Sequence, residues 1–316
     1  MTSPAARQDL QPDGRITVWP DRRIRSAPVV TLKYLTEPGL AGFFWPVVLT
    51  AVLVAILGGA LSWLVVVRRL SFIGQGISHS AFGGVGLALV LGAGTAGATS
   101  NALLMGVVLV FAIASALLIA AIADRRSGNT DAAIGIVLSV AMAIGFLLHH
   151  HAQRAAAARG LTPPPSIEQV LFGSITTIAW SDLWLGAVLG AVALWLLVWK
   201  RHAVLFWMFD EPAAEAFGVP TASVRSLVLA VLAVVVVITM KLAGVVLATA
   251  VLVLPGAAAL RLSSRLGTVI TLSISLGLFC SLAGLVAAFE LDVQPGPTIV
   301  LAMVACDLLA RLLARR

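Results

Sequence analysis

Charge is what this 316-residue chain has least of. Asp, Glu, Lys and Arg make up 11% of it, against 60% hydrophobic residues, and the mean hydropathy is +1.03. A water-soluble domain of this length needs far more polar residues to cover its core, so a soluble globular fold is excluded. Carboxylates are the scarcer charge, 14 against 21 Lys and Arg. Asp131, Asp182, Glu290, Asp292 and Asp307 all fall near the ends of the apolar runs, so the embedded acids that carry protons or sodium in many secondary transporters are nearly missing. The three lysines, Lys33, Lys200 and Lys241, follow Leu32, Trp199 and Met240. A phosphate-binding P-loop needs glycine immediately before its lysine. The chain therefore does not bind ATP by that motif, and any ATPase has to be a separate subunit.

Cysteine is almost absent too. Cys280 and Cys306 lie inside apolar runs and read as small buried hydrophobes rather than a disulfide or a metal pair. The net charge of +7 comes without a basic patch interleaved with aromatics, so nothing points to nucleic acid. The basic residues gather at segment ends, where membrane orientation and anionic lipid headgroups account for them.

What is present is a series of apolar runs about 20 residues long, the length that spans a bilayer as a helix. A barrel would show short alternating strands instead. The expected fold is therefore all-α and polytopic. Residues 1–42 are polar and broken by Pro4, Pro12, Pro20, Pro28 and Pro38. They have no apolar core of a signal peptide and read as a flexible tail, with a short interfacial piece near Val29–Leu35. From residue 43 to 316 the expected spans are Phe43–Val67, Ile77–Leu91, Ala102–Ala123, Ala132–Leu148, Leu183–Trp199, Val224–Met240, Val245–Leu260, Val269–Phe289 and Ile299–Leu313. Glu168–Ser174 is too short to span and reads as interfacial. Nine spans is the preferred count, with eight or ten open.

Orientation follows from the basic residues. With the Lys200–Arg201 loop in the cytoplasm, that side also receives Arg68, Arg69, Arg125, Arg126, Arg225, Arg261, Arg265, Arg311, Arg315 and Arg316. The opposite side receives Arg154, Arg159 and Lys241. The same assignment puts the basic tail outside, against the rule.

Three stretches carry candidate chemistry. In Ser71–Gly86, Gln75, His79 and Gly83 recur at four-residue spacing on one helix face. A histidine in a membrane segment has either a function or a hydrogen-bonding neighbour. Gly83 and Gly84 allow close backbone approach and point to tight packing. His149, His150 and His151 end the fourth span, either as imidazoles that catch a metal ion or as a wetted helix end. Phe209–Pro220 is polar, with Asp210, Glu211, Ala214, Glu215 and Gly218. It is either a solvated loop helix or a short helix docking into a partner. Pro255 predicts a kink in the seventh span.

Taken in order, RRLSFIGQGISHSAFGGVGLAL, DAAIGIVLSVAMAIG, VLFGSI, FDEPAAEAFGVP, KLAGVVLATAVLVLPGAAA and LDVQPGPTIVL resemble the integral-membrane permeases of ABC-type zinc, manganese and iron(II) importers. The resemblance runs from about Phe43 to Leu313. It implies a permease without enzymatic activity or bound cofactor, in a prokaryotic cell membrane. Two copies would form a pathway for a divalent metal cargo, with ATP bound by a partner ATPase and metal delivered by an extracytoplasmic solute-binding protein. It implies that Asp210–Gly218 couples to the ATPase and that His79 lies in the pathway. Where the family has Asp and Pro flanking this histidine, the chain has Gln75 and Gly83. A neutral amide in place of a carboxylate favours zinc over manganese. A permease for another or a chelated cargo, and a transporter or channel working without an ATPase, are the alternatives.

Overall fold

The computed structural model describes residues 38–92, 98–125, 130–160 and 180–314. The tail up to residue 37, with its expected interfacial piece, and Glu168–Ser174 with the VLFGSI stretch lie outside the described residues. Those that are described form helices α1 (Pro38–Val67), α2 (Ser71–Val90), α3 (Ala98–Arg125), α4 (Thr130–Ala158), α5 (Trp180–Trp199), α6 (Arg201–Phe209), α7 (Glu211–Ala216), α8 (Thr221–Ala243), α9 (Val245–Val251), α10 (Leu254–Leu262), α11 (Leu266–Leu291) and α12 (Pro295–Ala314). The fold is all-α, as expected. The first helix starts five residues inside the expected tail, with Pro38 at a position where a missing N–H is harmless.

Among the described residues, eight stretches are long and apolar enough to cross a membrane, α9 and α10 counting together as one. Helix α2 is not among them, because its glycines and Gln75, Ser78, His79 and Ser80 dilute its apolar character. Its 20 residues nevertheless give about 30 Å of helix. It begins at Ser71, not at Ile77 as the apolar pattern suggested, since Ser71–Gly76 continues the same helical register. Burial replaces lipid for this helix: it packs on α4 and α3, and most of its residues are buried. Glycine makes this possible. A Cβ on Gly83 would come within 2.8 Å of the Ala141 carbonyl, one on Gly86 within 2.7 Å of the Gly145 carbonyl, and one on Gly84 within 3.0 Å of Val108 Cα.

The seventh span is more than kinked. Helix α8 ends at Gly244, whose φ of +87° few residues other than glycine adopt. The chain then runs as α9, breaks at Leu252–Val253 and resumes as α10. Pro255 is the cause, having no N–H and a ring that would clash with the Val251 carbonyl. The break leaves backbone donors to satisfy inside the membrane. The Gly256 N–H donates to Ser62 Oγ on α1 at 2.7 Å, and Ser273 Oγ on α11 donates to the Gly59 carbonyl at 2.8 Å. Hydroxyls on α1 and α11 thus tie together the three helices around the break.

Ion pairs join helix ends that the charge pattern expects on the same side of the membrane. Lys241 meets Asp182 at 2.8 Å, both on the outer side. Asp307, 4% exposed, meets Arg311 at 2.8 Å and Arg261 at 3.5 Å in the cytoplasmic half. On α5, exposed Trp195 and Trp199 stack, with Lys200 over Trp199, the arrangement expected where a helix leaves lipid.

Glycine packing is directly testable by thermal unfolding in detergent. Gly86→Ala should cost about 1–3 kcal/mol by overpacking. Gly74→Ala, whose Cβ would have no neighbour within 4 Å, should be neutral or gain up to about 1 kcal/mol. Removing the Asp307 carboxylate with Asp307→Ala should destabilise by only about 1 kcal/mol, because Arg261 and Arg311, 32% and 56% exposed, stay hydrated without their partner.

Candidate functional site

Helix α2 leaves one stripe open. Phe72 and Gln75 are exposed and His79 is half-buried, at spacings that put them on one face. Gly83 continues the stripe but is closed over by Phe111 and Ala141. The uncovered polar positions therefore lie in the first half of the helix, the half next to the Arg68–Arg69 turn. Helix α9 packs beside it, with Val246 exposed and Thr249 and Ala250 half-buried. The Thr249 hydroxyl donates to the Val246 carbonyl at 2.9 Å, back into its own helix. Among the described residues, no three His, Cys, Asp or Glu side chains gather to hold a metal ion. One imidazole and one amide offer a cation a neutral, exchangeable pair of donors.

The histidine run behaves differently from its reading as a span end. Helix α4 passes through it to Ala158, because Gln, Arg and Ala favour helix and the chain turns only at Gly160. Successive helical residues point about 100° apart, and the three imidazoles separate accordingly. His149 is 1% exposed, packed against Phe82 at 5.9 Å. The Gln153 amide donates to its Nε2 at 3.2 Å, while Nδ1 has no partner. His150 and His151 face outward. The structure does not bring the three together at one point. Cys280 and Cys306, both free thiols, line a shallow apolar cleft with Pro255 and Met303.

The segment from Phe209 to Pro220 is a capped helix. The Asp210 carboxylate accepts the Ala213 N–H at 2.9 Å, which satisfies one orphan donor of α7. Gly218, at φ +81°, ends it. Ala214 is fully buried and anchors the segment; Glu215 is exposed, and Phe209 and Phe217 are 68% and 80% exposed. Glu211 turns the other way and forms an ion pair with Arg68 of the α1–α2 turn. The Arg68 guanidinium also lies 3.9 Å over the Trp207 ring of α6. Sequence reading missed Arg68 and Trp207 as members of this cluster. An arginine pair at a span end reads as orientation, and 143 residues separate Arg68 from Glu211.

Partial burial raises the Glu211 carboxyl's proton affinity. Arg68, the nearby Trp207 indole and the charge of Arg225 outweigh it and hold the group below its ordinary range. The indole N–H acts without hydrogen-bond geometry. A carboxylate with a depressed folded pKa contributes stability that is complete above its unfolded pKa and is lost as the pH falls through the folded one. The small stability difference between the wild-type chain and Glu211→Gln should hold from about pH 7 to about pH 5 and shrink only as the pH falls below the ordinary glutamate pKa of about 4.3. Thermal midpoints across that range would measure it.

The sequence profile of the ABC 3 transport family matches residues 41–314. A "Probable metal transport system membrane protein" of Thermotoga maritima is 32% identical, covering 79% of this chain and 82% of the relative. The "Manganese transport system membrane protein MntC" of Halalkalibacterium halodurans is 29% identical over 79% of this chain and 80% of its own. Among solved structures, PsaBC from Streptococcus pneumoniae in complex with Fab superposes with a TM-score of 0.73 at 27% identity, covering 89% of this chain and 95% of the other. The profile match, the relatives and the shared all-helical architecture agree: this chain belongs to the ABC 3 transport family, as an ABC-type metal permease, a multi-pass protein of the prokaryotic plasma membrane.

Proposed function

We propose that this chain forms the translocation pathway of an importer that moves a divalent transition metal ion inward. A separate cytoplasmic ATPase drives it, a solute-binding protein supplies the metal from outside, and two identical permease chains line the route. The observation that carries the reading is the open stripe Phe72–Gln75–His79 on a helix mostly buried in the protein. A helix kept out of lipid, yet leaving an imidazole and an amide uncovered, has a use for those groups. The capped segment Asp210–Gly218 supports the ATPase half of the reading. Ala214 holds it to the permease, and Glu215, Phe209 and Phe217 offer a partner one charge and two apolar anchors. The chain itself performs no chemistry and needs no resident cofactor; the metal is cargo.

Zinc is the favoured cargo on ligand chemistry. Imidazole suits zinc, while manganese prefers charged oxygen donors, and Gln75 supplies only a neutral one. The name of the Halalkalibacterium relative favours manganese as the second reading. Metal-stimulated ATP hydrolysis by the assembled complex distinguishes them. Stimulation should be stronger with zinc than with manganese, and His79→Ala should weaken the response to zinc by about tenfold, equivalent to about 1.4 kcal/mol. Gln75→Asp should raise the response to manganese. If neither variant changes any metal response, the open stripe of α2 is packing and not a site. Glu215→Arg should abolish co-purification with the ATPase; retention of both assembly and uptake would refute the docking role.

A further inference from the structure

We infer that Arg68 is a positioning residue: its clasp on Glu211 and Trp207 passes movement of the coupling segment to the base of α2, and so to Gln75 and His79. The inference rests on the reading of this chain as an ATPase-driven permease and adds how the drive reaches the pathway. Arg68 is held on two sides. Its guanidinium meets the Glu211 carboxylate and lies over the Trp207 ring, which is fully buried in the core. Glu211 begins α7, so a shift of that helix is felt at Arg68 immediately. Charge alone does not hold the geometry, because a planar guanidinium both stacks and pairs, as an ammonium cannot.

The other end of the clasp is α2. Only Arg68, Arg69 and Leu70 separate α1 from α2, and this corner is tied down. Arg69 takes the left-handed φ of 56°, and the Leu70 N–H donates to the Val65 carbonyl at 2.8 Å. A displacement at Arg68 therefore has no slack loop to absorb it. His79 lies eight residues above Ser71, about 12 Å along the helix. Helix α2 is packed through Gly83 and Gly86 against α4, and through Gly84 against α3. Close-packed helices move as bodies instead of deforming. Pushed at its base, α2 shifts the Gln75–His79 stripe as a unit.

The pair is ill-suited to a purely stabilising role. Its side chains are 21% and 33% exposed, and ion pairs of such exposure add little net stability. Its loss should register in the yield of transport and not in folding.

The test is zinc moved per ATP hydrolysed by the complete complex of permease, ATPase and binding protein in proteoliposomes. Arg68→Gln should assemble and melt like the wild type while this ratio falls by at least about fivefold. Arg68→Lys, which keeps the charge and loses the stacked plane, should fall between the two. Glu211→Gln should lower the ratio similarly, and the double variant should be no worse than the poorer single one, as expected when two residues act through one contact. An unchanged ratio in Arg68→Gln would overturn the inference, as would single losses that multiply in the double variant. Loss of assembly in both Arg68 variants would also overturn it, by placing Arg68 in docking or folding. If the wild-type complex shows no metal-dependent hydrolysis at all, it is the proposed function that fails.

Discussion

Hydrocarbon offers no partner to a polar group, and α2 carries Gln75, Ser78, His79 and Ser80 within six residues. Placed against lipid, such a helix would be unstable. It has to lie inside the protein, and the rest of the bundle is arranged to let it. Helices α3 and α4 close on it through glycines where any side chain would strike a backbone carbonyl or Cα. This close approach replaces the missing hydrophobic drive with van der Waals contact, the usual glue between helices in a membrane. Once the helix is enclosed, what is left uncovered becomes informative. The open stripe at Phe72, Gln75 and His79 sits where the glycine seam ends.

The same demand explains the break between α9 and α10. Pro255 stops the helix within the membrane, and the freed Gly256 N–H finds Ser62 on α1. That hydroxyl lets an irregular stretch of backbone exist away from water, and Ser273 on α11 ties α11 to α1 through the Gly59 carbonyl. The broken helix packs beside α2, so the two least lipid-like parts of the chain are neighbours. On the cytoplasmic side, charges draw the corner of α1 and α2 to the capped helix after α6. The open half of α2 and the capped helix therefore meet at the α1–α2 corner, whereas the tryptophan-bearing α5 stands at the lipid edge.

Much of this was legible in the sequence. Apolar length gave the spans, and scarcity of charge excluded a soluble fold. The glycine-rich stretch was readable as a tightly packed helix, because Gly83, Gly84 and Gly86 fall where no lipid-facing helix would place them. Other features were beyond it. The start of α2 at Ser71 was hidden by its polar residues, which lower hydropathy without breaking a helix. The continuation of α4 past His149 was obscured by reading hydropathy as helix length, although a helix can leave the membrane intact. That His149 is buried while His150 and His151 are not depends on which side Phe82 approaches, information held by another helix. The pairing of Arg68 with Glu211 is a tertiary contact between residues each explicable alone, one as an orientation signal and the other as part of a helix start.

In the proposed function this chain moves a divalent metal only as part of an ATP-driven assembly. Radiolabelled zinc accumulation in proteoliposomes tests it most directly, comparing the permease alone with the permease joined to its ATPase and binding protein. Uptake is expected from the complete assembly with ATP within reach of the ATPase, and none without ATP or without the partners. Zinc accumulation by the permease alone, independent of ATP, would contradict it and mark the chain as a self-sufficient transporter or channel.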